Sequence, residues 1–142
     1  AGTPGISDPG GRLIEELVDK FGDEIVISPL PGASAAISAL SICGFPTDNF
    51  AFLGFPPHKK GRQTYFNKLS EMNITAVFFE STHRIFKTLD EIDARMPNRK
   101  LMVARELTKL HETIYRGTAS EVTEKLKSTS IKGEFTIVIN QK

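Results

Sequence analysis

Apolar positions along the chain alternate between helical and strand periods. Leu13, Ile14, Leu17, Val18 and Phe21 fall on one helical stripe, and Gly22 stops it. "EIVIS" (residues 24–28) reads as a short buried strand. "PLPGAS" is a turn, and "AAISALSIC" is a helix ended by Gly44 and Pro46. Loop, helix, strand, loop and helix in this order is the texture of a parallel α/β sheet. Gly, Pro, Asp and Asn then crowd together in "GFPTDNF", which marks a candidate domain linker near residue 48.

Beyond the linker the pattern predicts a mixed sheet. "FAFLGF", "ITAVFFE", "KLMVARE", "ETIYRG" and "GEFTIVIN" read as strands. Helices fall over "RQTYFNKLSEM", with Tyr65, Phe66 and Leu69 inward, and over "STHRIFKTLDEIDARM", with Ile85, Phe86, Leu89 and Ile92 inward. A third begins at Thr118, where Thr118 and Glu121 stand at capping-box spacing. The third and fourth strands have only a short connection and pair as a hairpin, so directions in the sheet are mixed. The expected fold is α/β in two lobes. Residues 1–48 form part of a parallel α/β domain, and 49–142 form a second domain with a five-stranded mixed sheet.

Composition narrows the class. A chain of 142 residues with 39% hydrophobic and 25% charged residues suits a globular protein with a real core. A net charge of +1 argues against a strongly basic nucleic-acid coat but leaves room for a local basic patch. Cys43 is the single cysteine, which excludes a disulfide framework and a cysteine-based zinc site and suits a small core residue. No run of apolar residues is long enough to span a membrane and no signal-peptide pattern is present, so a cytosolic location is expected.

Two glycine- and proline-rich loops, "AGTPGISDPGG" and "LPGASAA", each lie just ahead of a helix. Such a loop is either a tight turn or a place where the backbone approaches a ligand and offers N–H groups to an anion. Neither loop is a dinucleotide fingerprint or a Walker sequence. The turn "HKKGR" places His58, Lys59, Lys60 and Arg62 close together, either as a solvated turn or as a contact for an RNA backbone.

The order "AGTPGISDPG", "PLPGASAA", "FLGFPP…KKGR", "FFESTHRI" and "ARELTKLHETIYRG" resembles the tetrapyrrole methylase superfamily. Within it the likeness is to the branch that methylates a ribose 2′-oxygen of small-subunit ribosomal RNA. The likeness covers nearly the whole chain. The ESTHRI and ARELTK blocks belong to that branch, and the two Gly/Pro loops are shared with porphyrin and corrin methylases. The resemblance implies S-adenosylmethionine as cofactor, no metal, a homodimer, and ribosomal RNA or the small ribosomal subunit as partner. It also implies an internal fragment, with a first strand upstream and an extension downstream.

Residue by residue, the resemblance assigns Gly2, Thr3, Pro4, Ile6 and Ser7 to the first cofactor loop, with Thr3 where the superfamily commonly has an acidic residue. Pro31, Gly32, Ser34 and Ala35 match the second loop. Phe79 lies where the second domain closes over the cofactor, and Gly133 to Thr136 match the adenine side. Methyl transfer from a sulfonium to an oxygen is an in-line displacement, so the protein mainly aligns the reacting atoms and helps the hydroxyl lose its proton. Candidate groups for that work are Glu80, His83, Arg84, Arg105, Glu106, Lys109 and Glu112, with surface ion pairing as the alternative for each. Arg84 joins Lys59, Lys60 and Arg62 as a candidate RNA contact, because a guanidinium matches phosphate oxygens in a fork. A porphyrin or corrin methylase and a non-catalytic interaction domain remain alternative readings.

Overall fold

The computed structural model describes residues 2–142. The chain divides into two compact units, Ala1–Ala35 and Ala36–Lys142. In the first, helix α1 spans Gly10–Phe21 and Gly22 closes it with φ 49°, a left-handed conformation that glycine adopts without strain. The Asp8 carboxylate accepts from the backbone N–H of Gly10, an otherwise orphaned donor of the first turn. The apolar stripe of α1 is present as expected, yet none of its residues is buried, and Leu13 is 58% exposed.

The strand expected over "EIVIS" does not form. A single 3-10 turn covers Gly22–Glu24, and the chain runs on without a ladder, leaving Val26 93% exposed. An extended apolar run becomes a strand only when a neighbour takes its N–H and C=O groups. All ladders among the described residues are made between residues 50 and 139.

The second unit is built on a five-stranded sheet in the order β1-β2-β5-β3-β4. The strands are β1 (Phe50–Phe52), β2 (Thr75–Ser81), β3 (Leu101–Arg105), β4 (Thr113–Gly117) and β5 (Glu134–Ile139). β1 and β2 are parallel, joined by helix α3 (Arg62–Glu71). β5 lies antiparallel between β2 and β3, so β3 runs the same way as β2, and β3 and β4 form the expected hairpin. Helix α4 (Ile85–Arg95) carries the chain from β2 to β3, and α5 (Ala119–Lys127) from β4 to β5. Thr118 caps α5 with a complete capping box. Helix α4 starts at Ile85 because β2 continues through Ser81 and a turn takes Thr82–Arg84.

Strand alternation sends side chains to two faces. On one face Ala76, Phe78, Leu101, Val103, Phe135 and Ile137 pack with Phe66 and Leu69 of α3, Leu89 and Ile92 of α4, and Val122 and Leu126 of α5. On the other, Val77, Met102, Ala104 and Val138 pack with Ala36, Ala39, Leu40 and Cys43 of helix α2 (Ala35–Ile42) and the residue after it. This second packing is why the compact units separate at Ala35 and Ala36 rather than at the Pro46–Asn49 break. The sequence pattern groups α2 with the first lobe, but its small and apolar residues pack in the core of the sheet. Ile137, fully buried on central strand β5, tests that core. Ile137→Ala should lower unfolding free energy in urea by about 2–5 kcal/mol, and a loss below about 1 kcal/mol would contradict close packing there.

Candidate functional site

Strand directions gather the motifs at one end of the sheet. β1, β2 and β3 run the same way, so "FLGFPP", "ESTHRI" and "ARELTK" leave their carboxyl ends together. The register pairs Ser81 with Glu134 and Arg105 with both Phe135 and Thr113, which brings the start of β5 ("GEFT") and the start of β4 to the same end. In open α/β sheets this is the end that binds ligands.

A buried ionic network sits beneath that end, on the face covered by α3, α4 and α5. Glu80 is 1% exposed. Its carboxylate accepts from Arg84 Nη2 at 2.8 Å, from the Ser81 N–H at 2.7 Å and from Thr88 Oγ1 at 2.6 Å, and Arg62 Nη1 stands 3.7 Å away. Arg62 also donates to Glu91 Oε2 at 2.7 Å and to Thr88 Oγ1 at 2.7 Å. The two guanidiniums therefore face two carboxylates, and each charge is paired as burial requires.

This geometry corrects two placements. Arg62 is not on the solvated turn. It is 3% exposed at the first position of α3, its guanidinium lying over the Phe66 ring. Arg84 does not project toward solvent for phosphate either, since it is held by Glu80, by Ser81 Oγ and by the Pro56 carbonyl. Glu80 accepts hydrogen bonds on both oxygens and is closed off as a base for an external hydroxyl. Beside it the Tyr65 hydroxyl is buried with no partner among the described residues. Burial first, then the Glu80 charge, pushes this phenol above its ordinary value, with Arg62 opposing.

Arg105 is likewise engaged, at 8% exposure, donating to the carbonyls of Lys132 and His111. The β3–β4 loop that follows is backbone-strained. Glu106 (φ 51°) and Thr108 (φ 64°) are both left-handed, and Thr is β-branched, so each costs on the order of 1–3 kcal/mol. Local bonds hold the loop. Lys109 Nζ bridges Glu106 Oε1 at 3.0 Å and Glu134 Oε2 at 2.9 Å, and Glu106 Oε1 accepts the Glu134 N–H at 2.8 Å. Glu112 accepts from the Thr108 N–H. Gly133 is required here, because a Cβ at its φ of +122° would meet the Glu106 side chain at 2.5 Å. Thr82 ties in the third block, donating to the Gly133 carbonyl at 2.6 Å. His83 is exposed on the intervening turn.

On the opposite face of the sheet, Phe79 and Thr136 are cross-strand partners. Thr136 is buried, and Phe79 packs edge-on to Phe52 and tilted against Phe55, which is 53% exposed.

In the first unit the two Gly/Pro loops are joined. The Thr3 N–H donates to the Ala33 carbonyl at 3.0 Å, and Thr3 Oγ1 to the Gly32 carbonyl at 3.2 Å. Gly2 is dictated by that approach, since a Cβ there would meet the Ala33 oxygen at 2.7 Å. Thr3, standing at the acidic position of the resemblance, is thus a clasp between the loops. The anion position at the start of α1 is filled by the protein itself, where Asp8 Oδ2 accepts from Gly5 and Gly10. Pro4, Ile6 and Ser7 lie on the exposed or half-exposed rim, and Pro31, Ser34 and Ala35 lead into α2.

Sequence reasoning missed Thr82 and Thr88. Thr88 carried a signal, because it falls on the apolar stripe of Ile85, Leu89 and Ile92, and a polar residue there calls for a buried partner.

The family model for tetrapyrrole (corrin/porphyrin) methylases matches residues 1–123. The chain belongs to the tetrapyrrole methylases. Relatives named ribosomal RNA small subunit methyltransferase I include one from Halalkalibacterium halodurans, 40% identical over 98% of this chain and 47% of its own length. The Thermotoga maritima relative is 39% identical over 100% of this chain and 63% of its length. The chain thus spans about half to two thirds of these curated relatives. Among solved structures, the methyltransferase CobJ matches with TM-score 0.68 at 18% identity, over 99% of this chain and 62% of that one. Uroporphyrin-III C-methyl transferase from Thermus thermophilus, complexed with S-adenyl homocysteine, matches with TM-score 0.65 at 15% identity, over 98% of this chain and 62% of that one. These likenesses show that the mixed sheet has the tetrapyrrole methylase fold.

Two predictions follow from this methylase sheet end. Removing the unpartnered phenol by Tyr65→Phe should leave urea stability unchanged or raise it by up to about 1 kcal/mol, whereas a loss above about 1 kcal/mol would reveal a bond to this hydroxyl. The Glu106 carboxyl is held below its ordinary value of 4.5, chiefly by the Glu134 N–H and then by Lys109. A lowered folded value means its contribution is full above the unfolded value and is lost as pH falls through the folded one. The Glu134 amide resonance should therefore titrate with a midpoint below 4.5, and a midpoint at or above it would contradict the bridge.

Proposed function

We propose that the protein to which this chain belongs transfers a methyl group from S-adenosylmethionine to a ribose 2′-oxygen of small-subunit ribosomal RNA. The observation that carries this reading is about 40% identity, over nearly the whole chain, to relatives named as small-subunit RNA methyltransferases. A homodimer and a cytosolic location belong to the same reading. So does the assignment of residues 1–48 to a cofactor-side domain and 49–142 to the second methylase domain, a division along the sequence in which helix α2 of the first part packs on the sheet of the second.

The residues present fit the cofactor. Gly2, Gly5 and Gly32 keep the joined loops free of bulky side chains, and nothing lies within 4 Å of a Cβ placed at Gly5. Small residues and exposed backbone groups suit a zwitterionic amino-acid end and a ribose. We assign Gly2, Thr3, Pro4, Ile6, Ser7, Pro31, Gly32, Ser34 and Ala35 to this role. When bound, S-adenosylmethionine supplies an electrophilic methyl group on a sulfonium.

The chain's own work is orientation and proton removal. Glu80, Arg84 and Arg105 serve by shaping the sheet end, because each is already engaged. Lys109 is exposed at that end, as are His83 and Glu112, and Glu106 is half-buried beside Lys109. Lys109, 47% exposed, carries the positive charge that favours a hydroxyl losing its proton. The solvent-facing Lys59 and Lys60 are proposed to meet the RNA backbone.

The test uses the full-length protein. Small-subunit RNA from cells lacking it should be lighter by one ribose methyl, and purified protein with S-adenosylmethionine should restore that methyl. Ser34→Tyr should abolish cofactor binding by calorimetry while leaving the thermal midpoint in place. Unmethylated RNA that the protein leaves untouched, or methylation of a tetrapyrrole instead, would overturn the assignment.

A further inference from the structure

A groove of about 390 Å³ opens between the basic turn and helix α4, at the same end of the sheet as the motifs. His58 and Lys59 line one wall, Lys87 and Glu91 the other, and Arg62 the floor. The larger groove, about 570 Å³, lies at the other end of the sheet, around Met96, Lys100 and Asn140, away from every motif. Lys87 belongs to no motif, and its exposed position on α4 looks in sequence like any solvated helix face.

Charge sets what this groove accepts. Lys59 and Lys87 are exposed, and their ammonium groups make no ion pair or hydrogen bond among the described residues. Glu91, the single acidic side chain lining the groove, is already bound to Arg62 Nε at 2.7 Å. The groove therefore presents unpaired positive charge on both walls.

The walls are also held in place. Pro56 and Pro57 have no N–H to give, and their carbonyls are taken by side chains of the buried network. Arg84 Nη1 donates to Pro56 at 3.0 Å and Arg62 Nη1 to Pro57 at 3.1 Å. Glu80 grips both arginines, and Thr88, one residue beyond Lys87, bonds both Glu80 and Arg62. One buried carboxylate thereby links the turn that carries Lys59 to the helix that carries Lys87.

We propose that this groove is a track for RNA phosphates, with Lys59 and Lys87 as its contacts and Arg62, Glu80 and Arg84 as positioning residues. The proposal rests on the ribosomal RNA reading above. It adds a contact, Lys87, and a reason for the buried arginines. Each phosphate neutralised by a lysine releases counterions, so each contact has its own signature in the salt dependence of binding.

The experiment measures binding of the full-length protein to the small ribosomal subunit across a salt series, with S-adenosylmethionine affinity and thermal midpoint as controls. Lys87→Ala and Lys59→Ala should each weaken binding and flatten the slope of log affinity against log salt by about one. Lys127→Ala removes an exposed lysine elsewhere, one paired with Glu124, and should leave the slope unchanged. Arg84→Ala keeps both lysines and should raise KM for the subunit with unchanged cofactor affinity, and Arg84→Lys should recover part of the loss. A Lys87→Ala slope equal to that of the unaltered protein, in protein that still methylates the subunit, would overturn the groove and spare the reading beneath it. Failure of the unaltered protein to bind or methylate the subunit would overturn that reading, and the groove with it.

Discussion

A carboxylate removed from water must be neutralised where it stands, and Glu80 is where this fold meets that demand. Its side chain is wholly enclosed at the end of β2. Two arginines, a threonine hydroxyl and a backbone N–H converge on it. Leaving one member of such a set without its partner typically costs about 3–5 kcal/mol, far more than any exposed pair returns. Because the partners come from the start of α3, the turn before α4 and α4 itself, one charge fixes the mutual placement of three segments. The exposed Lys127–Glu124 pair, by contrast, joins only residues of its own helix.

The sheet explains why chemistry collects at one end. Placing β5 antiparallel between two strands that run together makes its start a neighbour of their finishes. Three blocks far apart in sequence are thereby sewn into one surface, with Thr82 bonded to Gly133, and Gly133 covered by Glu106. The strained backbone at Glu106 and Thr108 persists because Lys109, Glu112 and Glu134 hold the loop from several sides. Such over-determined strain is typical of places where a chain must present groups in one fixed arrangement.

Much of the second unit was legible from periodicity. The five strands, the three helices after β1, and the capping box at Thr118 are all present, with α4 starting four residues later and β1 ending three residues sooner than the pattern puts them. What periodicity cannot express is partnership. "EIVIS" has the composition of a strand but no ladder, and α2 reads as an element of the first lobe until its small residues meet Val77 and Val138. Charged residues failed in the same way. Arg62 sits in a basic run and looks solvated, but the helix start turns it inward toward Glu80 and Glu91 while Lys59 and Lys60 remain outside. Candidate residues of the ESTHRI and ARELTK blocks lie along one end of the sheet, and their division into buried props and accessible groups required three dimensions.

The insertion of β5 between β2 and β3 also has a temporal side. During synthesis β2 and β3 emerge well before β5, and neither can acquire its central neighbour until residues 134–139 leave the ribosome. At roughly 5–20 residues per second that interval is on the order of seconds. Throughout it two apolar strands carry open edges, the condition under which chains pair with the wrong partner. The β3–β4 hairpin can form early from local contacts, whereas the junction that unites the three motif blocks must be among the last parts to close. The nascent chain therefore passes through a period in which a chaperone has something to hold and the motif-bearing end of the sheet does not yet exist.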